Sequence, residues 1–170
     1  MPASEQGAAH PDGRWLTINR TLTFVRNGED VLLLKRAPTK RIFPNRYNGV
    51  GGHIERGEDV FTSAQREIVE ETGLDVRDLR LRAIYLVDAN AATGISVFAF
   101  TAYSDSRDLI ECDEGTLEWV PIADITSRDL VEDLPIMLPR MLAMSDCDAP
   151  LFVHLSYNDA GEMQLTFNSG

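Results

Sequence analysis

A chain of 170 residues is long enough for one domain with a sizeable core, and 44% hydrophobic with 25% charged residues fits a soluble globular protein. A formal charge of −11 argues against a broad basic face for long nucleic acid and suits a small ligand whose charge is met locally. No apolar run reaches the length of a membrane span, Met1 to Gly13 is too polar for a secretory signal, and Cys112 and Cys147 lack any metal or redox spacing; a cytoplasmic protein with free thiols and no membrane partner is expected.

Met1 to Arg14, small and polar, is expected to be a loose tail, leaving a single domain over residues 15–170. Thr21 to Arg26 and Val31 to Arg36 are predicted strands joined through Asn27-Gly28-Glu29-Asp30, a hairpin signal. Ala37 to Asn48 holds Pro38 and Pro44 and is expected to be a loop. Lys35, Arg36, Lys40, Arg41 and Arg46 crowd this region, either to meet phosphates or to keep a loop solvated.

A helix is predicted over Val60 to Thr72, a run of helix formers without interior Gly or Pro. Asp59 is placed to cap its start, and Gly73 to end it in a left-handed conformation. Val60, Phe61, Ala64 and Ile68 are expected on its core-facing side. Glu67, Glu70 and Glu71, spaced i, i+3 and i+4, project from one stripe. Three carboxylates this close repel unless a strong cation sits among them, and oxygen-only ligation suits Mg²⁺ or Mn²⁺. The plainer reading is a solvated acidic helix face.

Strands are predicted over Leu79 to Val87, Ile95 to Tyr103 and Leu117 to Pro121, and a helix over Pro135 to Met144 with Pro in its first turn. Phe152 to Tyr157 and Met163 to Phe167, joined through Asn158 to Gly161, read as a last hairpin. Mixed strands around few helices argue for an α/β or α+β layered domain.

Residues Gly52 to Leu74 match every defined position of G-x5-E-x7-R-E-U-x-E-E-x-G-U, with Gly52, Glu58, Arg66-Glu67-Ile68, Glu70-Glu71 and Gly73-Leu74 in register. The stretch resembles the Nudix box. That resemblance implies an α/β/α sandwich with a mixed β-sheet and the catalytic helix at about 60–72. It also implies metal-dependent hydrolysis of a diphosphate linked to another moiety. Glu70 and Glu71 are the implied metal ligands, with Glu67 direct or through water, and the Gly52 carbonyl a further candidate. Arg66 and Glu58 take an orienting role. Which carboxylate serves as general base varies among relatives; Glu67 is the candidate here, helped or replaced by a later acid, for which Glu114 is the candidate, and Glu114 also reads as an exposed loop acid.

Asn48-Gly-Val-Gly-Gly52-His53 is similar to the lead-in of the oxidised-purine nucleoside triphosphatases, which makes Asn48 a candidate base reader. Glu132-Asp133 stand where that subgroup reads the purine edge, and the spacing of Glu114 to Trp119 agrees. One member of such a pair must be protonated to donate; the competing role is capping the Pro135 helix. Leu130 replaces an aromatic of the subgroup and His53 its Lys. Phe43 and Tyr47 either stack on a base or pack in the loop, and His53 contacts phosphate or faces solvent. His10 and His154 have no convincing ligand partners.

The expected substrate is a small nucleotide: a triphosphate cut to monophosphate and pyrophosphate, with 8-oxo-dGTP as best guess. ADP-ribose or another nucleoside diphosphate derivative, capped RNA ends, and a non-catalytic sensor on the same fold are the competing readings. The sequence leaves the oligomeric state open.

Overall fold

The protein's structure, a computed structural model, describes residues 13–168; Met1 to Asp12 of the expected tail, with His10, lie outside the described residues. In chain order come β1 (Leu16–Asn27), β2 (Asp30–Arg36), β3 (Tyr47–Asn48), α1 (Val60–Thr72), β4 (Arg77–Val87), β5 (Thr93–Tyr103), β6 (Gly115–Pro121), a 3-10 helix (Ile122–Ser127), α2 (Leu134–Ala143), β7 (Leu151–Tyr157) and β8 (Met163–Asn168).

β1 begins well before the expected Thr21 because its whole length, from Leu16 opposite Thr93 to Arg26 opposite Tyr103, pairs in parallel with β5. Polar Asn19 and Arg20 hide that strand from a pattern reading. Part of the expected loop is also strand, since Tyr47 and Asn48 pair with Lys35 and Leu34. α2 starts at Leu134 rather than Pro135.

β5, β4, β7 and β8 continue the sheet beyond β1, with β4–β5 and β7–β8 antiparallel and β4–β7 parallel. β2 pairs with β1 through Arg26–Val31 and Asn27–Asp30, then parts from it to pair with β3 and β6. The edge of β1 exposed by that splay is filled by residues 50–54. Thr21 N donates to Gly52 O at 2.9 Å, and Thr23 N to Val50 O at 2.7 Å.

Two apolar clusters hold the layers. Val25, Leu32, Val50, Ile68 and Leu74 pack between α1 and the strands. Phe24, Leu33, Tyr85, Leu134, Met137, Leu138, Met141 and Val153 pack under α2. Helices on two sides of a mixed sheet give the expected sandwich. Phe61 departs from the predicted core stripe: it is 44% exposed, while Ser63, Ala64, Ile68 and Thr72 are the buried residues of α1. No helix among the described residues is long and apolar enough to cross a membrane.

Candidate active site

α1 is fixed at both ends. Asp59 Oδ1 accepts from Phe61 N at 2.8 Å and Thr62 N at 3.0 Å, and Gly73 closes the helix at φ +71°, its N–H donating to Val69 O. The glycine segment lies directly against this helix and β1. A Cβ on Gly52 would overlap the Glu67 carboxylate, and one on Gly51 would overlap the Thr21 carbonyl oxygen. Lack of room explains both glycines, and it brings bare backbone to the acids.

Arg66 gathers the loop and the helix. Its Nε and Nη2 donate to the two oxygens of Glu58 at 3.1 and 2.7 Å. Nη1 donates to Glu67 Oε1 at 3.0 Å and Glu70 Oε2 at 3.1 Å, and Nη2 also reaches the His53 carbonyl at 3.1 Å. The bidentate bond to Arg66, with the Glu55 N–H, holds Glu58 down at about 2. The same Glu58 bond leads in keeping the Arg66 guanidinium protonated.

Glu71 is in the opposite condition. Its Oε2 accepts from Gly51 N at 3.1 Å, yet burial, with the charges of Glu67 and Glu114 added, pushes it up to about 7. Burial likewise raises Glu67 despite Arg66. Glu114 therefore does come beside Glu71, but its Oε1 is held by Lys40 Nζ at 2.5 Å. Gly52 O already accepts from Thr21 N, which leaves a second lone pair. Among the described residues, no three acid, His or Cys side chains are gathered closely enough to hold an ion as they stand. The donor set nonetheless fits a hard divalent cation, because it is all oxygen and two of its carboxylates resist ionising without one. A cavity of about 390 Å³, lined in part by Lys35, Arg36, Cys112 and Asp113, adjoins these acids, and Glu71 and Glu114 help burial raise the Cys112 thiol.

The residues singled out for base reading divide into fastened and unfastened ones. Tyr47 donates from its hydroxyl to Glu118 Oε2 at 2.7 Å, and Arg128 holds the other oxygen at 2.6 Å. Phe43, at φ +50°, packs against the core under α2, as Leu130 does from within it. Asn48 Oδ1 accepts from Gly49 N at 2.9 Å, and the His53 side chain faces solvent. Glu132 Oε1 lies 3.6 Å from Arg46 Nη1.

Asp133 occupies the N-cap position of α2 but makes no side-chain capping bond. Burial, with Glu132 adding, pushes its carboxyl up to about 6. The buried Tyr85 hydroxyl is near enough to oppose that rise but outside strict hydrogen-bond geometry, so it is a near contact. Tyr157 is close as well, its phenol raised by burial and by Glu132 and Asp133. Neither tyrosine stands out in the sequence, where an aromatic in a strand reads as core. The one available signal was a hydroxyl, at Tyr85, in an otherwise apolar stretch.

The NUDIX domain matches residues 17–141. The chain is 31% identical over 124 residues to the oxidized purine nucleoside triphosphate hydrolase of Mus musculus, covering 72% of this chain and 78% of that one. It is 34% identical over 67 residues to the m7GpppN-mRNA hydrolase NUDT17 of Xenopus laevis, covering 39% of this chain and 23% of that protein's length. The crystal structure of a mutator MutT protein from Bacillus halodurans superposes with a TM-score of 0.75 at 21% identity, covering 89% of this chain and 97% of that one.

Proposed function

The chain belongs to the NUDIX family, and from that premise we propose that it is a Mg²⁺-dependent pyrophosphohydrolase. It cuts a nucleoside triphosphate to monophosphate and pyrophosphate, and its substrate is an oxidised purine nucleotide of the 8-oxo-dGTP kind. Asp133 carries this reading: an acid in a capping position that caps nothing, poised between protonated and ionised near neutral pH beside Glu132. Such a pair presents a donor and an acceptor together, as a purine edge requires. The likeness to the mouse hydrolase supports the same substrate class.

In this reading Glu67, Glu70, Glu71 and the Gly52 carbonyl hold Mg²⁺, with Mn²⁺ as a substitute. A cation held there would neutralise phosphate oxygens and make a bound water more acidic. Glu67, pressed against Gly52, receives the proton of the attacking water as general base. Arg66 and Glu58 keep the glycine loop and helix in register. Glu114 substitutes as base once it gives up Lys40. Arg36 and Lys35 offset phosphate charge at the cavity, which a chain of −11 otherwise repels. Asn48 faces the base with Glu132 and Asp133.

The test is pyrophosphate and phosphate release with Mg²⁺ across ordinary and oxidised nucleoside triphosphates, ADP-ribose and capped RNA. Preferential pyrophosphate release from an oxidised purine triphosphate is expected. Turnover of capped RNA or ADP-ribose, with the triphosphates untouched, would replace it with the second reading, which the Xenopus relative favours.

A further inference from the structure

The two stretches proposed to read the base lie far apart in the chain, Asn48 on β3 and Glu132-Asp133 just before α2. Their backbones are joined: Tyr47 N donates to Asp129 O at 2.9 Å, and Val131 N to Tyr47 O at 3.0 Å. Arg46 adds a looser tie, its Nη1 3.6 Å from Glu132 Oε1 and its Nε 3.9 Å from Asp129 Oδ1. β6 contributes a third tie through one side chain, that of Glu118.

Tyr47 stands opposite Lys35 of β2, and Glu118 stands opposite Leu33, so both side chains lie on the sheet face under α2. Glu118 gives one carboxylate oxygen to each of two residues. Its Oε2 accepts from the Tyr47 hydroxyl at 2.7 Å, and its Oε1 from Arg128 Nη2 at 2.6 Å. The Arg128 guanidinium also lies 5.9 Å from the centroid of the Tyr47 ring, and Lys35 Nζ 5.7 Å from it. Charge-assisted bonds are short and directional, so two of them on one carboxylate fix Tyr47 and Arg128 relative to each other. Asn48 is the residue after Tyr47, and Arg128 opens the segment that ends at Glu132-Asp133. Both oxygens of Glu118 are bonded to the protein, so it holds a position and does not itself read a base.

We propose that Glu118 is a positioning residue for base recognition. By joining Tyr47 to Arg128 it sets the spacing between Asn48 and the Glu132-Asp133 pair, and thereby the base that they accept. This rests on the base reading proposed above. Polar groups from two stretches that read one base edge must stay in register, since a site loose by about 1 Å loses much of its discrimination. The backbone bonds alone would let the two stretches pivot about the bridge between Tyr47 and Leu130. The Glu118 bonds come from a different strand and remove that freedom.

Calorimetric titration of the full chain with 8-oxo-dGMP, the base-bearing product, and separately with inorganic pyrophosphate in Mg²⁺ divides the site into its base and phosphate parts. Glu118→Ala should weaken 8-oxo-dGMP binding roughly tenfold, as loss of a charge-assisted bond does, and leave pyrophosphate binding unaltered. Tyr47→Phe, a milder change, should give part of that loss, and the double variant no more than Glu118→Ala alone, because both remove one link. Glu118→Gln, which keeps an acceptor for one partner, should restore part of the binding. Asp30→Asn, which breaks the 2.7 Å pair with Arg107 at the other end of β2, should bind 8-oxo-dGMP as wild type does. An equal loss for pyrophosphate, or the same loss in Asp30→Asn, would overturn the proposal. If Asn48→Ala and Asp133→Asn weaken 8-oxo-dGMP binding while Glu118→Ala and Tyr47→Phe do not, the base reading stands and the positioning role falls. If the wild type binds pyrophosphate but not 8-oxo-dGMP, the base reading itself falls, and the positioning role with it.

Discussion

Two groups of acids in this molecule are treated in opposite ways. Glu58 is held at about 2 because Arg66 grips both its oxygens, whereas Asp133 is pushed to about 6 because burial and Glu132 act on it with no cation in contact. Pairing fixes geometry: the Arg66 bonds tie three glutamates and a loop carbonyl into one unit. Lack of pairing leaves a group ready to exchange a proton or a hydrogen bond with something that arrives. Glu71 belongs with Asp133 in this respect, although it sits on the same helix as Arg66.

The largest break of the contrast comes from the acids themselves. Glu70→Gln and Glu71→Gln should each reduce Mg²⁺-dependent turnover at least about a hundredfold with the circular dichroism spectrum intact. Near-normal rates in either would remove that residue from the metal site. Next is Arg66→Ala, which leaves Glu58 and Glu67 facing each other; turnover should fall and the Tm drop by several degrees, more than for Arg66→Lys. A Tm equal to wild type would show that Arg66 organises nothing.

Asp133 gives a pH signature of the opposite sign to Glu58. Its folded pKa lies above its unfolded one, so its favourable contribution is complete below about 4 and is lost as pH rises through about 6. Asp133→Asn should flatten the fall of unfolding free energy between pH 4 and 7, by an amount on the order of 2–3 kcal/mol. A wild-type profile identical to that of the Asn variant would mean that Asp133 ionises freely. The smallest effect is expected from Tyr85→Phe: a stability change within about 1 kcal/mol, since the hydroxyl has no bond to lose, with KM altered for purine substrates alone. An equal KM change for pyrimidine triphosphates would take Tyr85 out of base recognition.

What the sequence reveals here depends on whether the cause is local. α1 has the predicted bounds because Asp59 and Gly73 act within a turn of the helix. The shared stripe of Glu67, Glu70 and Glu71 follows from helical spacing in the same way. Phe61 departs from its expected place because the apolar stripe of the helix is wider than the surface that covers it. The first residues of β1 and the short β3 are not legible in the sequence, since both depend on partners elsewhere in the chain, β5 for one and β2 for the other. The Lys40–Glu114 pair and Tyr85 beside Asp133 are likewise products of distant contact, which no spacing encodes.

The splay between β1 and β2 has a consequence for the order in which the chain becomes competent. The edge that receives Val50 and Gly52 belongs to a strand whose other edge is zipped to β5, so the glycine backbone meets the acids of α1 only when segments from distant parts of the chain have docked. α1 carries its own caps, but its carboxylates stay without their loop until that closure. The proposed centre is therefore complete only once those segments have docked.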